Sequence, residues 1–201
     1  MIATRRARLQ LVAAAVLFST GGAVIKATAM TSWQVASLRS GVAAAALALL
    51  LPEARRGFRP RTLIVSIAYA STLVLFVTAN KLTTSANTIF LQATGPLYIL
   101  LLAPFLLREK IRPADVAFIA IVGAGLVLFF LGTDTPVPTA PAPFQGNVLA
   151  ALSGFTWALT LMGLRWMGAD ESGGSAVGAV VAGNTLACLA TLPMALPLSG
   201  I

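Results

Sequence analysis

The chain has 201 residues, of which 58% are hydrophobic and only 10% are charged, and it contains no histidine. About a quarter of the residues in a soluble domain are charged, so this composition excludes an ordinary soluble domain. The formal charge of +8 comes from basic residues that lie between apolar blocks, which excludes a nucleic-acid-binding face.

Seven apolar blocks are long enough to cross a bilayer as helices, since about 20 residues span ~30 Å of hydrocarbon. In chain order they cover residues 9–29, 33–52, 62–80, 84–107, 113–131, 145–166 and 175–197. The connections between them are short, as is typical of a helix bundle. The sequence therefore predicts an all-α, polytopic membrane bundle of about seven transmembrane helices, with the lipid bilayer as its first partner.

The first block follows a basic stretch and contains an Ala-x-Ala motif at Ala27–Ala29, which are features of an export signal. The block is long for a signal and six more follow, so we interpret it as a retained span. Its Ser19 and Thr20 lie near the middle of the membrane. We predict that both line a solute path, with ordinary interhelical hydrogen bonding as the alternative.

The second block contains Arg39, about 10 Å inside the membrane if the helix begins near Ser32. A charge at that depth normally faces the bundle interior or a water-filled cavity. Arg39 is therefore a candidate for attracting an anionic group, with a structural role as the alternative.

The fourth block, LQATGPLYILLLAPFLLREK over residues 91–110, is hostile to an uninterrupted helix. Pro96 has no N–H to donate to the carbonyl of Gln92, so the helix should break near the bilayer midplane. Transporters place binding sites at such breaks, which makes Gln92 and Pro96 site candidates. The alternative is a simple kink that a neighbouring helix repairs, and we assign Pro104 to this case.

The segment TDTPVPTAPAPF at residues 133–144 has four prolines and predicts an extended connector between five spans and two. All but three of the 14 basic residues then lie on the N-terminal side of the membrane. The positive-inside rule places the N-terminus in the cytoplasm of an inner-membrane protein and the connector outside.

Tyr69 and Trp157 join the other midplane candidates and suggest a modest polar cavity with aromatic walls for a small amphipathic solute. The six acidic residues lie at block ends or in connections. Without histidine, deep carboxylates or a phosphate loop, the sequence predicts neither an enzyme nor ATP-driven transport, and it requires no metal or cofactor. A second copy of the chain is allowed as a partner.

A family pattern runs through three stretches, LFSTGGAVIKATAMTSWQVASLRSGVAAAAL, TTSANTIFLQATGPLYILLLAPFLLREKIRPADVAFIAIVGAGLVLFFLG and GNVLAALSGFTWALTLMGLRWM. Its marks are the Ser-Ala-Asn of residues 85–87, Pro96, Glu109 and Arg39. In these the chain resembles the EamA-like family of the drug/metabolite transporter superfamily.

The resemblance implies ten helices in two inverted five-helix repeats, a central cavity, and export or exchange of small metabolites by a secondary carrier. Residues 1–132 would form the first repeat, 133–144 the periplasmic connector, and 145–201 a partial second repeat. Three helices then look missing, so we expect a truncated chain. The alternative is an incomplete or non-transporting membrane scaffold that needs another chain.

Overall fold

The computed structural model describes residues 2–55, 59–106, 111–131, 135–168 and 175–197, without the side chains of residues 2–6 and 55. These ranges are all-helical apart from turns and one isolated bridge. The helices are α1 (Ile2–Ala27), α2 (Ser32–Leu50), α3 (Pro60–Leu82), α4 (Ser85–Gln92), α5 (Gly95–Leu106), α6 (Pro113–Leu131), α7 (Pro143–Gly168) and α8 (Ala176–Ala195).

Seven segments of the described chain are long and apolar enough to cross a membrane, with α4 and α5 together forming the fourth. This confirms the predicted all-α membrane bundle with seven spans, and the predicted boundaries lie within about two residues of the observed ones. Glu109, which the sequence pattern singled out, lies outside the described residues.

Local sequence sets where the helices begin. Thr31 and Gln34 form a capping box at the start of α2, each side chain bonding the backbone N–H of the other. Thr84 caps α4 by accepting from the N–H of Asn87. Pro60 opens α3, where its missing N–H removes no helical hydrogen bond.

Helix α3 forms the centre of the bundle, because it packs extensively against both α7 and α8. Ser66 Oγ donates to the carbonyl of Ala179 across 3.0 Å and joins α3 to α8. Helix α2 packs along α8, where Ser37 Oγ donates to the Cys188 carbonyl across 3.2 Å. A Cβ on Gly41 would lie 3.1 Å from the Cys188 sulfur, so the small residues of α2 allow the two helices to approach closely.

Helices α1 and α6 lie at the periphery. No residue of α6 is buried, and α1 turns most of its described side chains away from the protein, with Gly22 and Ile25 as buried exceptions. Apolar surface of this kind faces lipid in a membrane bundle.

The proline-rich connector differs from its prediction. Instead of continuing as an extended segment, it folds back at Val137 and Ala140, which exchange two backbone hydrogen bonds of 3.1 and 2.8 Å. Pro138 suits the second position of such a turn because its φ is already fixed. Helix α7 begins at Pro143, so the connector is also shorter than predicted. We call residues 135–142 the strap.

The strap is anchored to the ends of two helices, α3 and α1. The N–H of Ala142 donates to the carbonyl of Leu82 across 3.1 Å, and Lys26 Nζ donates to the carbonyl of Thr139. We call this end of the bundle, where α1 and α3 end and α2, α4 and α7 begin, the strap end.

Candidate solute-binding site at the broken helix

The fourth span is interrupted where the sequence predicts it. Helix α4 ends at Gln92 and α5 begins at Gly95, with Ala93 and Thr94 between them. The N–H of Leu97 donates to the Thr94 carbonyl across 2.8 Å and starts the new helix. Helix α4 has 8 residues. At 1.5 Å per residue its length is about 12 Å, so the break lies nearly half-way through the membrane.

The break packs directly against α7 at Gly154. A Cβ added there would lie 2.9 Å from the carbonyl oxygen of Leu91 and 3.1 Å from that of Gln92. Only glycine therefore allows this approach. Beside it, Gln92 Nε2 donates to Ser153 Oγ across 2.9 Å, and Ser153 Oγ donates to the Thr72 carbonyl across 3.3 Å.

A neighbouring helix thus supports the break, as the simple-kink alternative expected, but it does not satisfy all the polar groups. Among the described residues, Gln92 Oε1 accepts no hydrogen bond. An amide oxygen in this position can accept a hydrogen bond from a solute.

A second polar contact continues this line of hydroxyl groups along α3 and α7. The Oγ1 atoms of Thr72 and Thr156 are 2.9 Å apart, and Thr160 Oγ1 donates back to the Thr156 carbonyl. Thr72 and Thr160 are buried, so these hydroxyls are held by the protein and lie away from lipid.

Two aromatic rings lie next to the hydroxyl line. Tyr69 of α3 and Trp157 of α7 have ring centroids 6.5 Å apart, with their planes tilted by 45°. A Cβ on Gly183 would lie 2.7 Å from Tyr69 Cδ1, and one on Gly95 would lie 3.3 Å from Trp157 Cδ1. The backbones of α8 and α5 therefore fix the two rings in place.

Arg39 lies on α2, which packs against α3, the helix that carries Tyr69. The Arg39 side chain is exposed at the protein surface, and it makes no ion pair or hydrogen bond with any residue that the structure describes. Both Arg39 and Gln92 are seven residues from the strap-end start of their helices, about 10 Å, so they lie at similar depth.

The structure does not bring every predicted residue to this cluster. Tyr69, Gln92 and Trp157 lie together on α3, α4 and α7, and Pro96 lies beside them in the first turn of α5. Arg39 lies on the neighbouring α2. Ser19 and Thr20, by contrast, lie exposed on α1. Their hydroxyls donate to the carbonyls of Val16 and Leu17 in their own helix.

Sequence reasoning missed Ser153 and Gly154, which carry the contact with the broken helix. The adjacent small residues in the stretch LSGFTW were the signal, because small residues in a membrane helix mark a close approach. Their partner could not be found in this way, since it lies more than 60 residues away in sequence.

A bundle of apolar spans with a polar cluster at an interrupted helix defines a multi-pass membrane protein with the architecture of a transporter. The sequence profile of the EamA-like transporter family matches residues 6–131, and the chain belongs to that family. This confirms the resemblance described above. No curated protein and no solved structure matches the chain.

Proposed function

We propose that the protein works as a secondary carrier that exports or exchanges small amphipathic solutes, and that these bind at Arg39, Tyr69, Gln92 and Trp157. The observation that carries the proposal is the helix break at mid-depth, which places an unused amide oxygen beside two fixed aromatic rings. Membership of the EamA-like transporter family supports transport and gives no support to an enzymatic role.

Alternating access would arise from movement between two inverted repeats. In this proposal residues 1–132 form the first repeat, 133–144 the connector, and 145–201 the start of the second. An odd number of spans per repeat inverts the second relative to the first. In this arrangement the site would lie at the boundary between these units, which the packing of α7 and α8 against α3 supports.

Hydrogen bonds at that boundary would control the movement. Gln92 and Ser153 join α4 to α7, while Thr72 and Thr156 join α3 to α7. The break next to Gln92 lets α4 and α5 tilt separately, since no backbone hydrogen bond can run from Pro96 to Gln92. Solute binding to the unused groups would favour one arrangement over the other.

A flux measurement on purified protein in lipid vesicles tests the proposal. The probes are three solutes with the same ring: benzenesulfonate, phenyl glucoside and phenyltrimethylammonium. We expect at least one to cross faster than in protein-free vesicles, and we expect Gln92→Ala to slow it. Gln10→Ala, on the exposed part of α1, is the matched control and should leave flux unchanged. Equal fluxes with and without protein for all three probes would exclude the carrier function.

The proposed orientation has its own test. With the N-terminus in the cytoplasm of the inner membrane, a cysteine introduced as Pro138→Cys in the strap should react with an impermeant thiol reagent in intact cells. Ala7→Cys should react only after the cells are opened. The reverse pattern would exclude this orientation.

A further inference from the structure

We propose, on the basis of the carrier function above, that the solutes are small organic anions with a planar apolar body, and that the membrane potential drives their export without proton coupling. Three features carry the inference: unused hydrogen-bond donors in the site, the sign of the charges in the membrane, and the aromatic rings beside the broken helix.

The site offers donors that have no acceptor in the protein. The Arg39 guanidinium, the Tyr69 hydroxyl and the Trp157 indole N–H make no hydrogen bond within the part of the chain that the structure describes. Arg39 lies on α2, which packs against α3, and Tyr69 of α3 packs against Trp157. Arginine and two fixed N–H or O–H groups match the oxygens of a carboxylate, sulfonate or phosphate.

The charged residues of the seven candidate spans are basic with one exception. Asp115, in the first turn of α6, is their single acidic residue, and the basic residues are Arg8, Lys26, Arg39, Arg61, Lys81 and Arg165. Helix α6 begins at the end opposite the strap, so no carboxylate of these spans lies at the depth of Arg39. An unpaired guanidinium at that depth is costly, and a bound anion would remove much of this cost.

The two lysines place further positive charge on the route to the strap end. Lys81 Nζ donates to the carbonyl of Thr28 across 2.8 Å, and Lys26 Nζ donates to the carbonyl of Thr139. Backbone carbonyls hold both ammonium groups in place without cancelling their charge. The positive field therefore extends from Arg39 to the strap end and favours anions over cations.

The aromatic groups indicate the body of the solute. Tyr69 and Trp157 form one ring pair, and Tyr98 of α5 meets Phe155 of α7 edge to face with centroids 5.6 Å apart. Flat apolar groups stack on such surfaces. Gln92 Oε1 remains available for a hydroxyl or N–H on the same solute.

The charge pattern also indicates the energy source. Carriers that couple to protons need a group that binds the proton, and Asp or Glu usually serves within the membrane. Apart from the end-of-helix Asp115, the candidate spans contain neither. An anion needs no such coupling, because an inside-negative potential of ~100 mV supports an outward gradient of about 50-fold.

Vesicles with an imposed potassium diffusion potential test this inference. Benzenesulfonate is the probe because it stays anionic at every accessible pH. Phenyltrimethylammonium and phenyl glucoside carry the same ring with positive and zero charge. We expect benzenesulfonate to leave inside-negative vesicles and to be retained in inside-positive ones, at equal pH and sodium on both sides. The direction follows the sign of the potential whichever way the protein is inserted.

Variants of Arg39 link the selectivity to the site. Arg39→Gln should reduce benzenesulfonate flux by about 10- to 100-fold, the range for losing a charged hydrogen-bond partner. Arg39→Lys should restore part of it. Arg112→Gln, an exposed arginine between α5 and α6, is the matched control and should leave flux unchanged. Size-exclusion chromatography checks that each variant is folded.

The outcomes separate this inference from the carrier function. If phenyltrimethylammonium or phenyl glucoside crosses as fast as benzenesulfonate, or if Arg39→Gln has no effect, the anion assignment fails and the carrier function stands. Benzenesulfonate flux that needs a proton or sodium gradient would overturn the proposed driving force. If none of the three probes crosses, both proposals fail.

Discussion

Gln92 Nε2 donates a hydrogen bond to Ser153 Oγ across 2.9 Å, and this bond joins the broken end of α4 to the middle of α7. The same Ser153 donates to the Thr72 carbonyl, so a single hydroxyl connects three helices at the depth of the break. The break therefore belongs to the boundary between α7 and the preceding spans. Predictions about it can be tested at individual residues.

Replacing Gly154 should separate the break from α7. In Gly154→Ala the new methyl group would lie 2.9 Å from the Leu91 carbonyl oxygen, so the helices must move apart. We expect thermal unfolding in detergent to show a loss of about 1–3 kcal/mol, as is usual for overpacking. Gly123→Ala is the control, because its methyl group would meet open space in α6. A Gly154→Ala protein as stable as the control would contradict the close packing.

Restoring a backbone N–H at the break should make the fourth span more rigid. Pro96→Ala supplies the N–H that the Gln92 carbonyl lacks, so a helical hydrogen bond can form across the break. We expect slower amide hydrogen exchange over residues 91–97 and a lower rate of transport. Pro104→Ala is the control, since α5 already runs through Pro104 without interruption. Equal effects of the two substitutions would mean that the break has no special role.

The Tyr69 ring depends on a glycine of α8. A methyl group in Gly183→Ala would lie 2.7 Å from Tyr69 Cδ1 and must displace the ring. We expect solute affinity to fall by about 5- to 30-fold, because a displaced aromatic wall loses roughly 1–2 kcal/mol of contact. Binding measured by thermal shift with benzenesulfonate tests this. Gly125→Ala, which meets nothing within 4 Å, should keep the affinity of the unmodified protein.

Asn147 holds the strap end together. Its Oδ1 accepts from Thr83 Oγ1 across 2.8 Å, and its Nδ2 donates to the Phe129 carbonyl across 3.0 Å. Asn147→Leu leaves these buried groups unpaired, so we expect a loss of about 2–4 kcal/mol in the free energy of unfolding. Combining it with Thr83→Val should cost less than the sum of the two single changes, because both remove the same bond. Strict additivity in denaturant unfolding would argue against that bond.

The sequence predicted those features of the fold that depend on a single segment of the chain. Span lengths follow from bilayer thickness, and the break at Gln92 follows from the missing N–H of Pro96 four residues later. Both are properties of one segment, so no knowledge of neighbouring helices was needed.

The positions of individual polar residues depend instead on which helices meet. Ser19 and Thr20 are hydroxyl residues within an apolar span, as Thr72 and Thr156 are. They nevertheless point away from the bundle, because α1 packs little against its neighbours. A Ser or Thr hydroxyl can donate to a carbonyl of its own helix whichever way the side chain faces. The sequence therefore does not indicate whether such a residue faces the bundle or the lipid. The fold of the strap was missed for a similar reason, since its turn depends on anchoring at Leu82 and Thr139.

The contact between α1 and its neighbours at the strap end carries an energetic penalty. Asn80 Oδ1 and Ser85 Oγ are buried there without a partner in the described chain, pressed against Gly22. Each bare oxygen costs about 1–3 kcal/mol while the contact stays dry. Water that reached these two oxygens would recover that energy, so the contact favours hydration. Asn80→Leu would remove one of the two unpaired oxygens and would favour the dry contact between α1, α3 and α4.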